Sequence, residues 1–216
     1  MYIPEHFRIR DHADAIAFMR ANPFAILVSN SDDGPFATHA PVVVCESKAQ
    51  DSGQQLVIRG HVAKANPHWR YLEQQPSCLT IFHGAHAYVS PANYATREVV
   101  PTWNYGAVHA YGNARVFSAP EELLGVLHEL IPMFEAAYAE QWAGLSQAYR
   151  DRMLSHIVGF EIAVTRIEGK FKLSQNRNRA EQENVIASLG ASADTTISGV
   201  ADLMRVQGLG AKKDPE

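Results

Sequence analysis

Two stretches of the chain set cations beside amides. They are Arg59-Gly60-His61-Val62-Ala63-Lys64-Ala65-Asn66-Pro67 and the run from Arg166 to Arg177, Arg-Ile-Glu-Gly-Lys-Phe-Lys-Leu-Ser-Gln-Asn-Arg. In the second, Arg166, Lys170, Lys172 and Arg177 are set against one acid, Glu168, while Ser174, Gln175 and Asn176 add neutral donors. Such a set can hold a phosphate through charge-assisted hydrogen bonds. By spacing alone the run reads rather more readily as a solvated turn whose lysines touch only water. No Walker loop is present and no G-x-G-x-x-G opens a helix, so any phosphate must be met by side chains.

Thr38-His39-Ala40-Pro41 lies just beyond a hairpin turn, where alternation sends Thr38 and His39 to opposite faces. Taken singly, His39, His61 and His109 are each more often hydrogen-bonded structural histidines than catalysts. His83 and His86 are three residues apart, but no carboxylate or cysteine nearby completes a ligand set, and no metal is expected. Residue type assigns Trp103 and Tyr105 to a core, while their neighbours Thr102 and Asn104 leave stacking on a planar ligand open. G-x-S-x-G is absent and no Ser/His/Asp or Cys/His set stands out, so no catalytic residue is assigned.

These residues need elements to position them. The spacing predicts a surface helix from Asp11 to about Ala21, then a β-hairpin from Phe24–Ser29 and Phe36–Val44 around Ser31-Asp32-Asp33-Gly34. After a polar loop through Ser52-Gly53, Leu56–Gly60 reads as a strand, and Asn66-Pro67 opens a short helix. Cys78–Phe82 is a further strand that Tyr88-Val89 continues, and residues 90–106 read as a long loop, a common place for function. Val108–Phe117 alternates again and runs into Ser118…Glu121, a capping-box pattern opening a helix that should stop or kink near Pro132. More helix is expected around 133–139 and 149–155. Val158–Ile167 is β-like and turns at Gly169 into Phe171–Ser174, Asn178…Glu181 repeats the capping box, and a last helix spans about 195–206 before a tail at 211–216. Short strands with hairpin-like connections and no strict βα alternation imply an α+β or mainly β fold, an antiparallel barrel with peripheral helices.

With 216 residues, 46% of them hydrophobic and 19% charged, the chain can build a sizeable core. The expected division is a barrel domain over 1–190, with a helical insertion near 119–156, and a C-terminal helix and tail over 191–216. A formal net charge of -4 supplies no global field for nucleic acid or anionic lipid. Cys45 and Cys78 are too few for a disulfide framework and read as buried thiols. The N-terminus has charges where a signal peptide needs an apolar run, and no apolar stretch reaches membrane-spanning length, which points to the cytoplasm.

Taken together, several strings resemble the PaiB-type family, described as FMN-binding negative transcriptional regulators and related to pyridoxamine phosphate oxidase-like proteins. They are Met1-Tyr2-Ile3-Pro4 with Phe7, residues 60–67, Tyr88-Val89-Ser90-Pro91, Val100-Pro101-Thr102-Trp103-Asn104-Tyr105, His109-Ala110-Tyr111-Gly112, Ile157-Val158-Gly159 and residues 169–176. Residues 95–97 and the region after Ser188 depart from the family pattern. The resemblance implies an FMN-binding split β-barrel that works as a homodimer, with each FMN site built from both subunits. It implies that His61, Lys64 and Asn66 hold the flavin phosphate, that Thr38 and His39 lie beside the isoalloxazine, and that Lys172, Ser174, Gln175 and Asn176 contribute a second part of the pocket or its dimer wall; Trp103 is a cofactor-binding candidate on the stacking reading. FMN-dependent redox chemistry and flavin-responsive regulation are both consistent with it. DNA is a partner the family name suggests, although neither a helix-turn-helix nor a basic face is visible. Haem binding through His39, His61 or His109 is the alternative reading.

Overall fold

Alternating burial along β1 (Phe24–Ser31) fits a strand with one face inward, and Ser31-Asp32-Asp33-Gly34 turns it into β2 (Gly34–Lys48). The computed structural model describes residues 1–48 and 54–211; the expected loop through Ser52-Gly53 and most of the expected tail lie outside the described residues. The hairpin register runs from Ser31↔Gly34 to Phe24↔Pro41. β2 pairs with β3 (Gln54–Ala63), where Val42 opposes Gly60, and β3 pairs with β6 (Ile157–Lys172) from Val57↔Ala163 to Ala63↔Ile157. β4 (Ser77–Val89) pairs with β1, and β5 (Thr102–Phe117) completes a closed barrel in the order β1-β2-β3-β6-β5-β4. Among the described residues, closure leaves no free sheet edge.

The chain divides into two compact units. One comprises residues 16–82 and 109–167. Its interior holds Leu27, Val42, Ile58, Phe82, Phe160 and Ile162, all almost wholly buried. Between β5 and β6 lie α3 (Pro120–Glu135), α4 (Tyr138–Gly144) and α5 (Gln147–Leu154). Leu123, Val126 and Leu130 of α3 pack with Phe117 and Leu154 in a second apolar cluster. Arg59 on β3 ties this helix to the sheet, donating from Nε to Glu161 (2.7 Å) and from Nη1 to Glu129 (2.8 Å). The unit also holds most of α1 (His12–Ala21) and all of α2 (His68–Gln74). Cys78 is buried, which pushes its thiol up to about 12, whereas Cys45 is only half-buried; both are free.

The other unit comprises residues 1–15, 83–108 and 168–216. It carries α6 (Arg179–Gly190) and α7 (Thr195–Val206), which bury Val185, Leu189, Val200 and Met204. The Asn178 side chain caps α6 by accepting from Glu181 N–H (3.0 Å), and Asp194 caps α7. Glu181 does not complete the expected box, since its carboxylate accepts from Ala95 N–H (3.3 Å).

Four local expectations are corrected. The long loop ends at Pro101, because β5 begins at Thr102 and takes in Trp103 and Tyr105. Helix α3 is capped by Ala119 without a side-chain bond, and Pro120 at the first helical position supplies the pre-set φ in place of Ser118. The same helix runs through Pro132: the proline sits in the last turn, where one lost bond is offset by the buried face of Leu123, Val126 and Leu130. Gly169 makes no turn. It lies inside a continuous β6, where a Cβ would stand 2.7 Å from Ile9 Cδ1, so close approach rather than chain reversal requires glycine there.

Candidate functional site

In the unit holding β1 to β3, the sequence-predicted residues Thr38, His39, His61 and Asn66 line a single pocket of about 270 Å³, with Pro41 and Ile157 as apolar walls. Lys64 lies exposed in the adjoining turn. The turn is fixed by its own backbone: Lys64 N–H donates to His156 C=O (2.7 Å) and Asn66 N–H to Ala63 C=O (2.8 Å). The Asn66 side chain then joins strand to helix. Its Oδ1 accepts from His68 N–H (3.0 Å), and its Nδ2 donates to the Thr38 hydroxyl (3.1 Å). That hydroxyl shares a 2.8 Å hydrogen bond with His68 Nδ1. Thr38 therefore points towards α2 while His39 stays exposed beside Phe24, as strand alternation requires.

His68 was not among the predicted site residues. It is fully buried, with its ring edge-on to Phe36 (5.1 Å between centroids), and burial pushes its imidazole down to about 4. The signal was Asn66-Pro67-His68 itself, an Asx-type turn that fixes the residue after proline. Burial also holds His61 below its ordinary value, and its Nδ1 is buried with no protein partner. His61 and Pro41 border a second, largely apolar groove of about 260 Å³ against Leu127, Leu130, Phe134 and Tyr138.

The later predicted residues belong to the other unit. Lys172 Nζ donates to the Thr102 hydroxyl and to Trp103 C=O (2.6 Å). Ser174 pairs with Asn104, whose Nδ2 donates to Ser174 Oγ (2.9 Å). Gln175 spends its side chain on its own backbone, accepting from Leu173 N–H (2.7 Å) and donating to Phe171 C=O (2.5 Å). Asn176 is exposed. Trp103 is no core residue: 53% exposed, it stands near the rings of His86 and Tyr88. The solvated-turn reading of residues 166–177 fails as well, because Lys170 is only 7% exposed and β6 continues through Lys172. Asn104 and Tyr94, both buried beside this string, were not predicted as site residues.

The model of a family described as "Putative FMN-binding domain" matches residues 1–166. The chain belongs to that FMN-binding family. It is 37% identical over 209 residues to the protease synthase and sporulation protein PAI 2 of Bacillus subtilis, a match covering 94% of this chain and 96% of that protein. Among solved structures, the flavocytochrome Anf3 of Azotobacter vinelandii is similar at TM-score 0.59, with 14% identity over 79% of this chain and 72% of that one. A FAD and heme binding protein of Mycobacterium smegmatis matches at TM-score 0.56 and 14% identity, covering 76% of this chain and 72% of that one. The fold is the split β-barrel with added helices, as the sequence implied. FMN is the cofactor of this FMN-binding protein, and the barrel residues suit it. FMN has a phosphate, a polar pyrimidine edge and an apolar benzenoid edge. The paired recesses offer an apolar groove and the His61 ring with its buried, unpartnered Nδ1, and the cation Lys64 stands exposed in the turn beside them.

Proposed function

We propose that the chain is an FMN-dependent redox protein whose flavin is held by the barrel residues. Lys64 and Asn66 meet the phosphate and Thr38 and His39 flank the ring system; His61, which the resemblance gave to the phosphate, joins the ring system instead because it borders both recesses. Bound FMN supplies one- and two-electron chemistry, for which the protein provides placement and shielding. The observation that carries this reading is the buried, unpartnered Nδ1 of His61 where a polar and an apolar recess adjoin. A buried imidazole nitrogen without a partner costs about 1–3 kcal/mol, which a flavin heteroatom would recover. His61 is pushed towards its neutral form, so it meets a ligand without adding charge.

The active form in this proposal is a homodimer in the cytoplasm. Phe24, 65% exposed next to His39, and Phe134, 56% exposed in the groove, are apolar surfaces that a second subunit would cover. Two free cysteines suit a reducing compartment. Among the described residues no helix is long and apolar enough to cross a membrane. A regulatory role is the second reading, favoured by the name of the Bacillus relative, which ties that protein to protease synthesis and sporulation.

The test starts from the visible spectrum of the purified full chain and the identity of any molecule released by heat. FMN should be released, or taken up when added. Lys64→Ala should weaken FMN by about tenfold, the loss of one charge-assisted contact, and leave riboflavin binding unchanged because riboflavin has no phosphate. A colourless chain that takes up no FMN would sink the proposal, and a Soret band after haem addition would replace it with haem binding.

A further inference from the structure

A third pocket, of about 230 Å³, lies wholly within the unit of residues 1–15, 83–108 and 168–216, and its lining includes Lys172, Arg177, Tyr94, Thr102 and Asn104. Among the described residues no acidic side chain lines it. The partners of its cations are neutral. Lys172 donates to a hydroxyl and a carbonyl, and the Arg177 guanidinium lies 4.1 Å from the Tyr94 ring centroid. Lys170 close by is likewise met by a carbonyl, that of Tyr2 (3.3 Å). Two acids of the same unit are engaged elsewhere, Glu168 with the Met1 amino group and Glu181 with Ala95 N–H.

Tyr94 is only 8% exposed, and its hydroxyl has no hydrogen-bond partner. A buried phenol is normally satisfied, so an orphan hydroxyl on a ring stacked by Arg177, in a pocket that Lys172 also lines, marks a place where an acceptor belongs. The wall behind it is firmly built. Asn104 is fully buried and locked to Ser174, which is held at φ +65°, a left-handed conformation that a non-glycine residue adopts only under constraint. Burial first, then Lys170 and Arg177, hold the Lys172 ammonium below its ordinary value, the signature of positive charge lacking a counter-charge.

We infer that this pocket binds the oxyanion group, phosphate or carboxylate, of a small acidic molecule, with Lys172, Arg177 and the Tyr94 hydroxyl as donors. Its size decides between ligand classes. About 230 Å³ equals the liquid volume of roughly eight waters, below the range of pockets for drug-sized ligands but ample for a phosphate or a short acid. The inference places this anion apart from the flavin phosphate, which the proposal above gives to Lys64 and Asn66.

The test is calorimetric titration of sodium phosphate and of sodium acetate into the full chain, as purified and again after saturation with FMN, with sodium chloride at matched ionic strength as reference. Saturable binding of phosphate, acetate or both, absent with chloride and kept in the presence of FMN, is expected; the anion that binds names the source. Arg177→Gln should weaken it by about tenfold or more, the loss of one charge-assisted hydrogen bond. Tyr94→Phe, which removes one oxygen and keeps the ring, should weaken it several-fold. Chloride acting equally well, or an Arg177→Gln protein with unchanged affinity, would overturn the site. Displacement of the anion by FMN would assign the pocket to the flavin's own phosphate and overturn a separate site.

Discussion

As pH falls from neutrality, the flavin-free chain is expected to lose about 3 kcal/mol of folding stability through His68 alone, between about pH 6.5 and about pH 4. The direction follows from proton counting. His68 is fully buried and stays neutral in the fold down to about pH 4, whereas in the unfolded chain it protonates at its ordinary value of 6.5. Between those values the unfolded state binds more protons, so stability rises with pH. The contribution is whole above the unfolded value and is lost as pH falls through the folded one. The cause is burial: Nδ1 meets the Thr38 hydroxyl, Nε2 has no partner, and a proton on Nε2 would leave a charge facing no acceptor. Burial pushes His61, His83 and His109 the same way, so the whole chain should titrate more steeply than His68 alone. His68→Gln isolates the effect. Urea midpoints at constant ionic strength should show the variant less stable than wild type above pH 6.5 and nearly equal to it by about pH 4. A stability difference that does not change with pH would refute the assignment. Because Thr38 bridges His68 to Asn66, FMN release should follow the same acid limb.

The His68 network shows what the sequence revealed and what it hid. Local chemistry was readable: the hairpin around Ser31-Asp32-Asp33-Gly34, the strand-to-helix turn at Asn66-Pro67, the Asn178 cap and the last helix over Thr195–Val206 each depend on neighbours within a few residues. The family strings carried the fold and the cofactor, since they cover nearly the whole chain. Misreadings arose where distant packing overrode local preference. Pro132 stays helical because Leu123, Val126 and Leu130 are buried, Gly169 is a strand residue because Ile9 lies against it, and Trp103 leaves the core because β5 turns it outward. The pocket of Tyr94, Lys172 and Arg177 was visible only in part: the run from Arg166 to Arg177 read as a possible phosphate holder, but nothing in it pointed to Tyr94. Its lining is drawn from residues 6–7, 94–104 and 172–177, which no window of sequence places together. Lys172 and Arg177 appeared as charges in a run, and Tyr94 as one aromatic in a loop.

The second large effect is expected from one carbon atom in the barrel wall. Gly112→Ala should destabilise the chain by about 3 kcal/mol, the upper end for overpacking, and lower Tm by roughly 6–12 °C at the ~2–4 °C per kcal/mol usual for this size. A Cβ on Gly112 would stand 2.4 Å from Ala163 O and 2.7 Å from Ile162 Cγ2. The Ile162 methyl group can yield, but Ala163 is backbone of β6 held in register against Val57 of β3, so its carbonyl cannot retreat without opening that ladder. Gly125→Ala is the matched control. Gly125 is an exposed residue of α3 with nothing near its missing Cβ, and the same chemical change there should stabilise by about 0.5–1 kcal/mol. Equal melting temperatures for the two variants would disprove the close approach of β5 to β6. The barrel change should also reach the flavin. The β3–β6 ladder that Gly112→Ala strains ends at Ala63↔Ile157, and both of those residues line the pocket of Thr38, His61 and Asn66. FMN affinity should therefore fall together with Tm in Gly112→Ala and stay at the wild-type value in Gly125→Ala. A Gly112→Ala protein that melts early yet binds FMN normally would place the flavin away from the β3–β6 end of the barrel.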